Sequence, residues 1–116
     1  MTTTIYGIRN CDTMKRARAW LEERGISYRF HDYRNEGIDR GHLERWVDAA
    51  GWETVLNRAG TTFRKLDDAA KTGLDREKAI RLMMEQPSMI KRPVLEADGQ
   101  IAVGFKPEFY EPLFCK

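Results

Sequence analysis

Residues 3–14 read Thr3-Thr4-Ile5-Tyr6-Gly7-Ile8-Arg9-Asn10-Cys11-Asp12-Thr13-Met14. Thr3 to Ile8 is rich in β-branched and aromatic residues and reads as a strand. From Asp12 the period changes. Met14, Ala17, Trp20 and Leu21 fall on one helical face, while Lys15, Arg16, Arg18, Glu22 and Glu23 lie elsewhere. Gly25 stands where a helix takes a left-handed residue to end. Tyr28 and Phe30 then alternate with Arg29 and His31, the pattern of a half-buried strand. Strand, helix and strand within about thirty residues make a βαβ unit, so the two strands should be parallel.

Outward from this unit the chain turns helical. Asp39 is placed to cap a helix, Ile38 to staple onto Leu43, and Leu43, Trp46, Val47 and Ala50 form its apolar face up to Gly51. A short turn runs from Trp52 to Leu56. Thr61 or Thr62 is placed to cap a further short helix, Asp75 a longer one through Ile80, Met83 and Met84, and Pro87 opens a last turn. From Val94 the period returns to two. Val94-Leu95-Glu96-Ala97 and Gln100-Ile101-Ala102-Val103 flank Asp98-Gly99, the preferred type I′ hairpin turn. Pro107 opens a C-terminal helix that Pro112 keeps short or kinked. The order predicts an α/β fold: a four-stranded mixed sheet flanked by helices, thioredoxin-like, with an inserted helical region. Residues 1–35 and 91–116 supply the sheet core and about 36–90 the insertion, all in one domain of 116 residues.

The totals exclude several classes. A net charge of +2 is too small to argue for nucleic acid. No run is long enough to cross a bilayer, and the start Met-Thr-Thr-Thr-Ile lacks the features of a signal peptide. The two cysteines, Cys11 and Cys115, stand at opposite ends of the chain and form no disulfide framework. A reducing, cytoplasmic compartment and a monomer are expected. His31 and His42 stand alone, so no metal site is expected.

Cys11 is the leading candidate for chemistry. A core cysteine sits within an apolar face, whereas Cys11 lies among Arg9, Asn10, Asp12 and Thr13 at a helix start. There the backbone N–H groups lack partners and the helix dipole favours a thiolate. A fall in pKa from about 8.5 to about 6 would raise the thiolate fraction at pH 7 about thirtyfold and lower intrinsic nucleophilicity about tenfold. The net gain in attack is only about two- to threefold. The larger gain is a better leaving group from a mixed disulfide. Arg9, Lys15 and Arg16 favour the shift and Asp12 opposes it. Lys91-Arg92-Pro93, just before the hairpin, faces the cysteine in a thioredoxin-like sheet. There Arg92 offers a fork to an oxyanion or carboxylate, and a cis Pro93 presents backbone to an extended substrate. Gly60-Thr61-Thr62-Phe63-Arg64-Lys65 has two hydroxyls and two cations, either an anion site or a capped surface helix. Cys115 reads as a bystander thiol more readily than as a resolving one, and Met83, Met84 and Met89 as core filling.

These residues resemble the ArsC-like thioredoxin-fold family, which holds glutaredoxin-coupled arsenate reductases, Spx transcriptional regulators and YffB-type reductases. The resemblance is carried by Ile5 through Lys15, by Asn57-Arg58 with Gly60 through Leu66, by Pro87 through Leu95, and by Val103-Gly104-Phe105. It is strongest to the YffB type. The resemblance implies that Cys11 is catalytic and that Arg64 and Arg92 match two of the three anion-binding arginines of the arsenate reductases. The third falls near Lys106, a point charge in place of a fork, which speaks against efficient arsenate reduction. The Cys-x-x-Cys switch usual in Spx regulators is absent, since its fourth position is Met14. The YffB likeness implies a glutathione-dependent thiol/disulfide reductase with glutathione as co-substrate, no bound cofactor, and glutaredoxin as a partner to consider. Asn10, Thr13, Arg64, Arg92, Pro93 and Lys106 are the expected contacts of substrate or glutathione. The alternatives are arsenate reduction with the same nucleophile and a non-enzymatic regulator that binds RNA polymerase.

Overall fold

The computed structural model describes residues 3–9 and 11–114. In chain order it shows β1 (Thr3–Gly7), α1 (Asp12–Glu23), β2 (Arg29–Asp32), α2 (Tyr33–Glu36), α3 (Arg40–Ala50), α4 (Trp52–Val55), α5 (Thr61–Arg64), α6 (Asp68–Lys71) and α7 (Arg76–Glu85). A 3₁₀ turn (Pro87–Met89), β3 (Val94–Ala97), β4 (Gln100–Val103) and α8 (Pro107–Phe114) complete it. The contacts group into two units. One runs up to Glu36 and resumes at Arg92; the other is Gly37–Lys91.

The first unit holds the sheet, in the order β2-β1-β3-β4. β1 pairs parallel with β2 and antiparallel with β3, and β3 pairs antiparallel with β4. This is the thioredoxin-like arrangement. Phe30, Ile5, Leu95 and Ala102 are successive cross-strand partners, so they form one row on one face of the sheet. Met14, Ala17, Trp20 and Leu21 of α1 and Tyr110 of α8 pack with Ile5 and Leu95 in one buried cluster. Tyr110 meets Trp20 edge-on, with ring centroids 5.5 Å apart, and Phe105 at 5.0 Å. Both helices therefore cover the same face. Full burial of each large apolar side chain in such a row is worth about 1.5–3 kcal/mol.

Turn chemistry sets the ends of these elements. Gly25 has φ 68°, its N–H donates to the Glu22 carbonyl (3.1 Å), and the Ile26 N–H donates to Leu21 (3.0 Å). That is a Schellman end for α1. Asp98 and Gly99 both have positive φ, 54° and 83°, as a type I′ turn demands. The single turn α2, not evident in the sequence pattern, is built by side chains. The Asp32 carboxylate accepts the Arg34 N–H (3.0 Å) and the Asn35 amide (3.2 Å), and Glu36 accepts the Asp32 N–H (3.1 Å).

In the second unit, Asp39 caps α3 by accepting the His42 N–H (2.8 Å), and Asp75 caps α7 by accepting the Lys78 N–H (2.8 Å). Leu43, Trp46 and Val47 of α3 are buried, as are Ala79, Ile80, Leu82 and Met83 of α7. Arg40 pairs with Glu77 and Arg76 with Asp48, joining α3 to α7. The cap expected of Thr61 or Thr62 is instead Gly60, in extended conformation, and no side chain caps α5. A Cβ on Gly60 would lie 2.8 Å from Asn57 Nδ2, so glycine permits a close approach there. The Thr62 hydroxyl is taken by Ser88 (3.0 Å). Leu56 bridges Ile90; the Asn57 N–H donates to Met89 and the Lys91 N–H to Val55, both at 2.8 Å. These bonds fix the stretch that ends at Lys91.

Candidate thiol site

Sheet order brings three chain segments to one edge of the first unit. Gly7, the last residue of β1, pairs with Asp32, the last of β2, and Tyr6 pairs with Val94, the first of β3. The residues that leave β1 and β2 and the residues that enter β3 thus meet at the same end. Cys11, Tyr33 and Arg92 lie on these segments.

Cys11 is the N-cap of α1, in extended backbone conformation (φ −98°, ψ 132°), and its carbonyl accepts the Lys15 N–H at 3.0 Å. Its side chain is half-buried and packs in part against the core cluster. The approach of α1 depends on Gly7. A Cβ there would fall 2.2 Å from the sulfur of Met14, itself only 2% exposed. Glycine lets that thioether lie against the end of β1, and α1 begins close to the strand it follows.

Two opposing influences act on the thiol. Burial pushes its pKa up. The backbone N–H of Met14, the Arg92 guanidinium and the N–H of Thr13 together outweigh this and hold it below the ordinary thiol value. Thr13 and Met14 are the second and third residues of α1, where N–H groups have no partner within the helix. Arg92 is half-buried, which disfavours its charge, but hydrogen bonds to Cys11 and to Tyr33 hold its pKa above the ordinary value. The Arg92–Pro93 bond is cis, and the Pro93 carbonyl accepts the Gly104 N–H at 2.8 Å. Tyr33 is 1% exposed, and burial pushes its phenol well up, so it stays neutral.

Of the residues expected from sequence, the structure brings together Cys11, Thr13, Arg92 and Pro93. The Thr13 hydroxyl faces Arg16, whose guanidinium lies 3.5 Å away. Lys106 is exposed, with its ammonium over the Phe109 ring at 5.6 Å from the centroid. Arg64 belongs to the second unit, exposed at the end of α5, where its carbonyl accepts Lys71 Nζ at 2.8 Å. Asn10 and Cys115 lie outside the described residues. Tyr33 was not evident from sequence. The one signal it carried was its place just after the second strand. Among the described residues, no cluster of three His, Cys, Asp or Glu side chains could hold a metal, and no helix is long and apolar enough to cross a membrane.

A sequence model described as the ArsC family matches residues 6–113. The chain belongs to the ArsC family. Within this family, a solved structure described as the YffB protein is 61% identical, with a TM-score of 0.96, over 98% of this chain and all of that one. A solution structure of an arsenate reductase (ArsC) related protein from Brucella melitensis is 57% identical, with a TM-score of 0.77, over 100% of this chain and 97% of that one. The global transcriptional regulator Spx of Listeria innocua is 24% identical over 104 residues, covering 88% of this chain and 79% of its own length. ArsC-family relatives thus include proteins named for arsenate reduction and proteins named as regulators.

Proposed function

We propose that this ArsC-family chain is a thiol/disulfide reductase that works through a mixed disulfide on Cys11 and takes its resolving thiol from glutathione. The observation that carries the reading is Cys11 at the head of α1 with the Arg92 guanidinium against its sulfur. In the first step the Cys11 thiolate attacks the glutathione sulfur of a mixed disulfide RS–SG. The RS–S bond breaks, a Cys11–SG disulfide forms, and RS⁻ leaves and takes a proton. In the second step a glutathione thiolate attacks the glutathione sulfur of Cys11–SG, which yields oxidised glutathione and returns the Cys11 thiolate. The balance is RSSG + GSH → RSH + GSSG. A lowered thiol pKa serves the second step most, because the thiolate that leaves is Cys11 itself. Position 14 holds a buried methionine, so the neighbour that would resolve internally has no thiol. In this reading Arg92 holds a carboxylate of glutathione in its fork, the backbone around Pro93 and the head of α1 at Thr13 receive the peptide, and Lys106 adds charge. Such chemistry suits a reducing compartment.

The test is glutathione-coupled reduction of a small mixed disulfide by the wild-type chain and by Cys11→Ser. The variant should lose essentially all enzyme-dependent rate. A variant that keeps more than about a tenth of it, under conditions where thiolate attack is rate-limiting, overturns the reading.

Arsenate reduction is the second reading, favoured by the name of the Brucella relative and by the cation against the thiol. Arsenate would bond to Cys11, and two glutathione thiols would supply the two electrons that take As(V) to As(III) with loss of water. Steady-state turnover with arsenate, glutathione and glutaredoxin decides it. A reactive Cys11 with no turnover on either substrate is the outcome the regulator reading expects, and recovery of RNA polymerase on the immobilised chain would then carry that reading.

A further inference from the structure

We infer that Tyr33 is a positioning residue of the thiol site, its buried hydroxyl holding the Arg92 guanidinium so that the other side of the fork meets Cys11. The inference rests on the reading of Cys11 as nucleophile and deepens it.

The placement of Tyr33 follows from the sheet. Gly7↔Asp32 is the last pair of the β1–β2 ladder, so Tyr33 follows directly at the end where Cys11 begins α1. The Asp32 carboxylate bonds to the Arg34 N–H and to Asn35, which closes α2 and fixes the direction in which Tyr33 leaves the strand. At 1% exposure its ring is held within the packed interior. Burying a phenol without a polar partner is costly, and Arg92 bonds to this one as well as to Cys11. One planar guanidinium thus spans both groups.

Holding matters because a free arginine side chain is flexible, and ordering it against a half-exposed thiolate costs conformational entropy. A partner buried on the far side meets that cost in the fold before any substrate arrives. Tyr33 suits the task for a second reason. Its phenol is neutral, so it accepts from Arg92 without placing a second negative charge beside the thiolate. Among the described residues, the groups acting on the thiol from the elements around it include the Thr13 and Met14 N–H groups of α1, Arg92 from the loop before β3, and Tyr33 at the head of α2, with Asp32 behind it at the end of β2.

The experiment is the pH profile of Cys11 alkylation by iodoacetamide in wild type, Tyr33→Phe, Arg92→Ala and the double variant. Tyr33→Phe should raise the midpoint by about half a unit. Well below the midpoint about threefold fewer thiolates, each somewhat more nucleophilic, should slow alkylation roughly twofold, and the high-pH plateau should rise by up to about 1.7-fold. In the Arg92→Ala background the same change should do nothing further. An unchanged profile for Tyr33→Phe, or an equal shift in both backgrounds, overturns the inference. Phenylalanine keeps the ring and so the packing. Should it not fold, Tyr33→Leu serves instead, since it also removes the hydroxyl: the midpoint should rise with Arg92 present and not in the Arg92→Ala background, and an unchanged midpoint overturns the inference. Loss of turnover in Cys11→Ser with no shift in Tyr33→Phe would leave the reductase reading standing and remove only the role of Tyr33.

Discussion

At Cys11 burial and hydrogen bonding pull in opposite directions, and the second wins. The thiol pKa in the fold lies below the ordinary value it has in an unfolded chain. A lowered pKa means that folding favours the thiolate. The resulting stabilisation is fully present above the unfolded value and is lost as pH falls through the folded value. Urea midpoints of wild type and Cys11→Ser between pH 5 and pH 9.5 measure it. Their difference should move in favour of wild type as pH rises through this window and level off above about pH 8.5. A flat or opposite trend would mean that the fold does not favour the thiolate. At this scale the sequence was informative about kind. A cysteine among polar neighbours at a helix start, and an arginine before a proline, are legible as chemistry. Tyr33 was not, because an aromatic residue after a strand looks the same whether it fills core or holds a guanidinium.

Helices and turns were legible where one local rule decides them. Asp39, Asp75, Gly25 and Asp98-Gly99 act as caps, stop and turn as their chemistry requires. Gly25 offers a clean test. Its φ is 68°, and a Cβ there meets nothing within 4 Å, so Gly25→Ala carries a backbone cost alone. That cost should be about 1–2 kcal/mol, read as a lower urea midpoint with an unchanged slope. A variant as stable as wild type would show that the Schellman end contributes nothing. The misreadings are equally physical. Thr61 and Thr62 carry the right hydroxyls for a cap, but Gly60 can approach Asn57 where a side chain cannot, and Ser88 takes the Thr62 hydroxyl. The turns α2 and α6 span four residues each, too short for a hydrophobic period to register, and both are held by an aspartate side chain.

Over the whole molecule, the chain leaves the first unit after Glu36 and returns at Arg92, so the second unit is tied at both ends. We read the two as one cooperative domain. Leu21 in the first unit and Leu43 in the second are both fully buried. Leu21→Ala and Leu43→Ala should each cost about 2–5 kcal/mol and lower a single transition. Tryptophan fluorescence and far-UV circular dichroism should then coincide for both variants, and two separated transitions would end that reading. The sequence by itself determined the strand–helix–strand start, the hairpin and a thiol at a helix head. Each follows from residue period or turn chemistry within a few positions. Only the tertiary structure decided which groups meet that thiol. Contact between residues far apart in the chain depends on strand order and register, and these depend on how the sheet pairs and packs. With β1 between β2 and β3, the ends of β1 and β2 and the start of β3 share one edge, and Arg92 and Tyr33 come to Cys11.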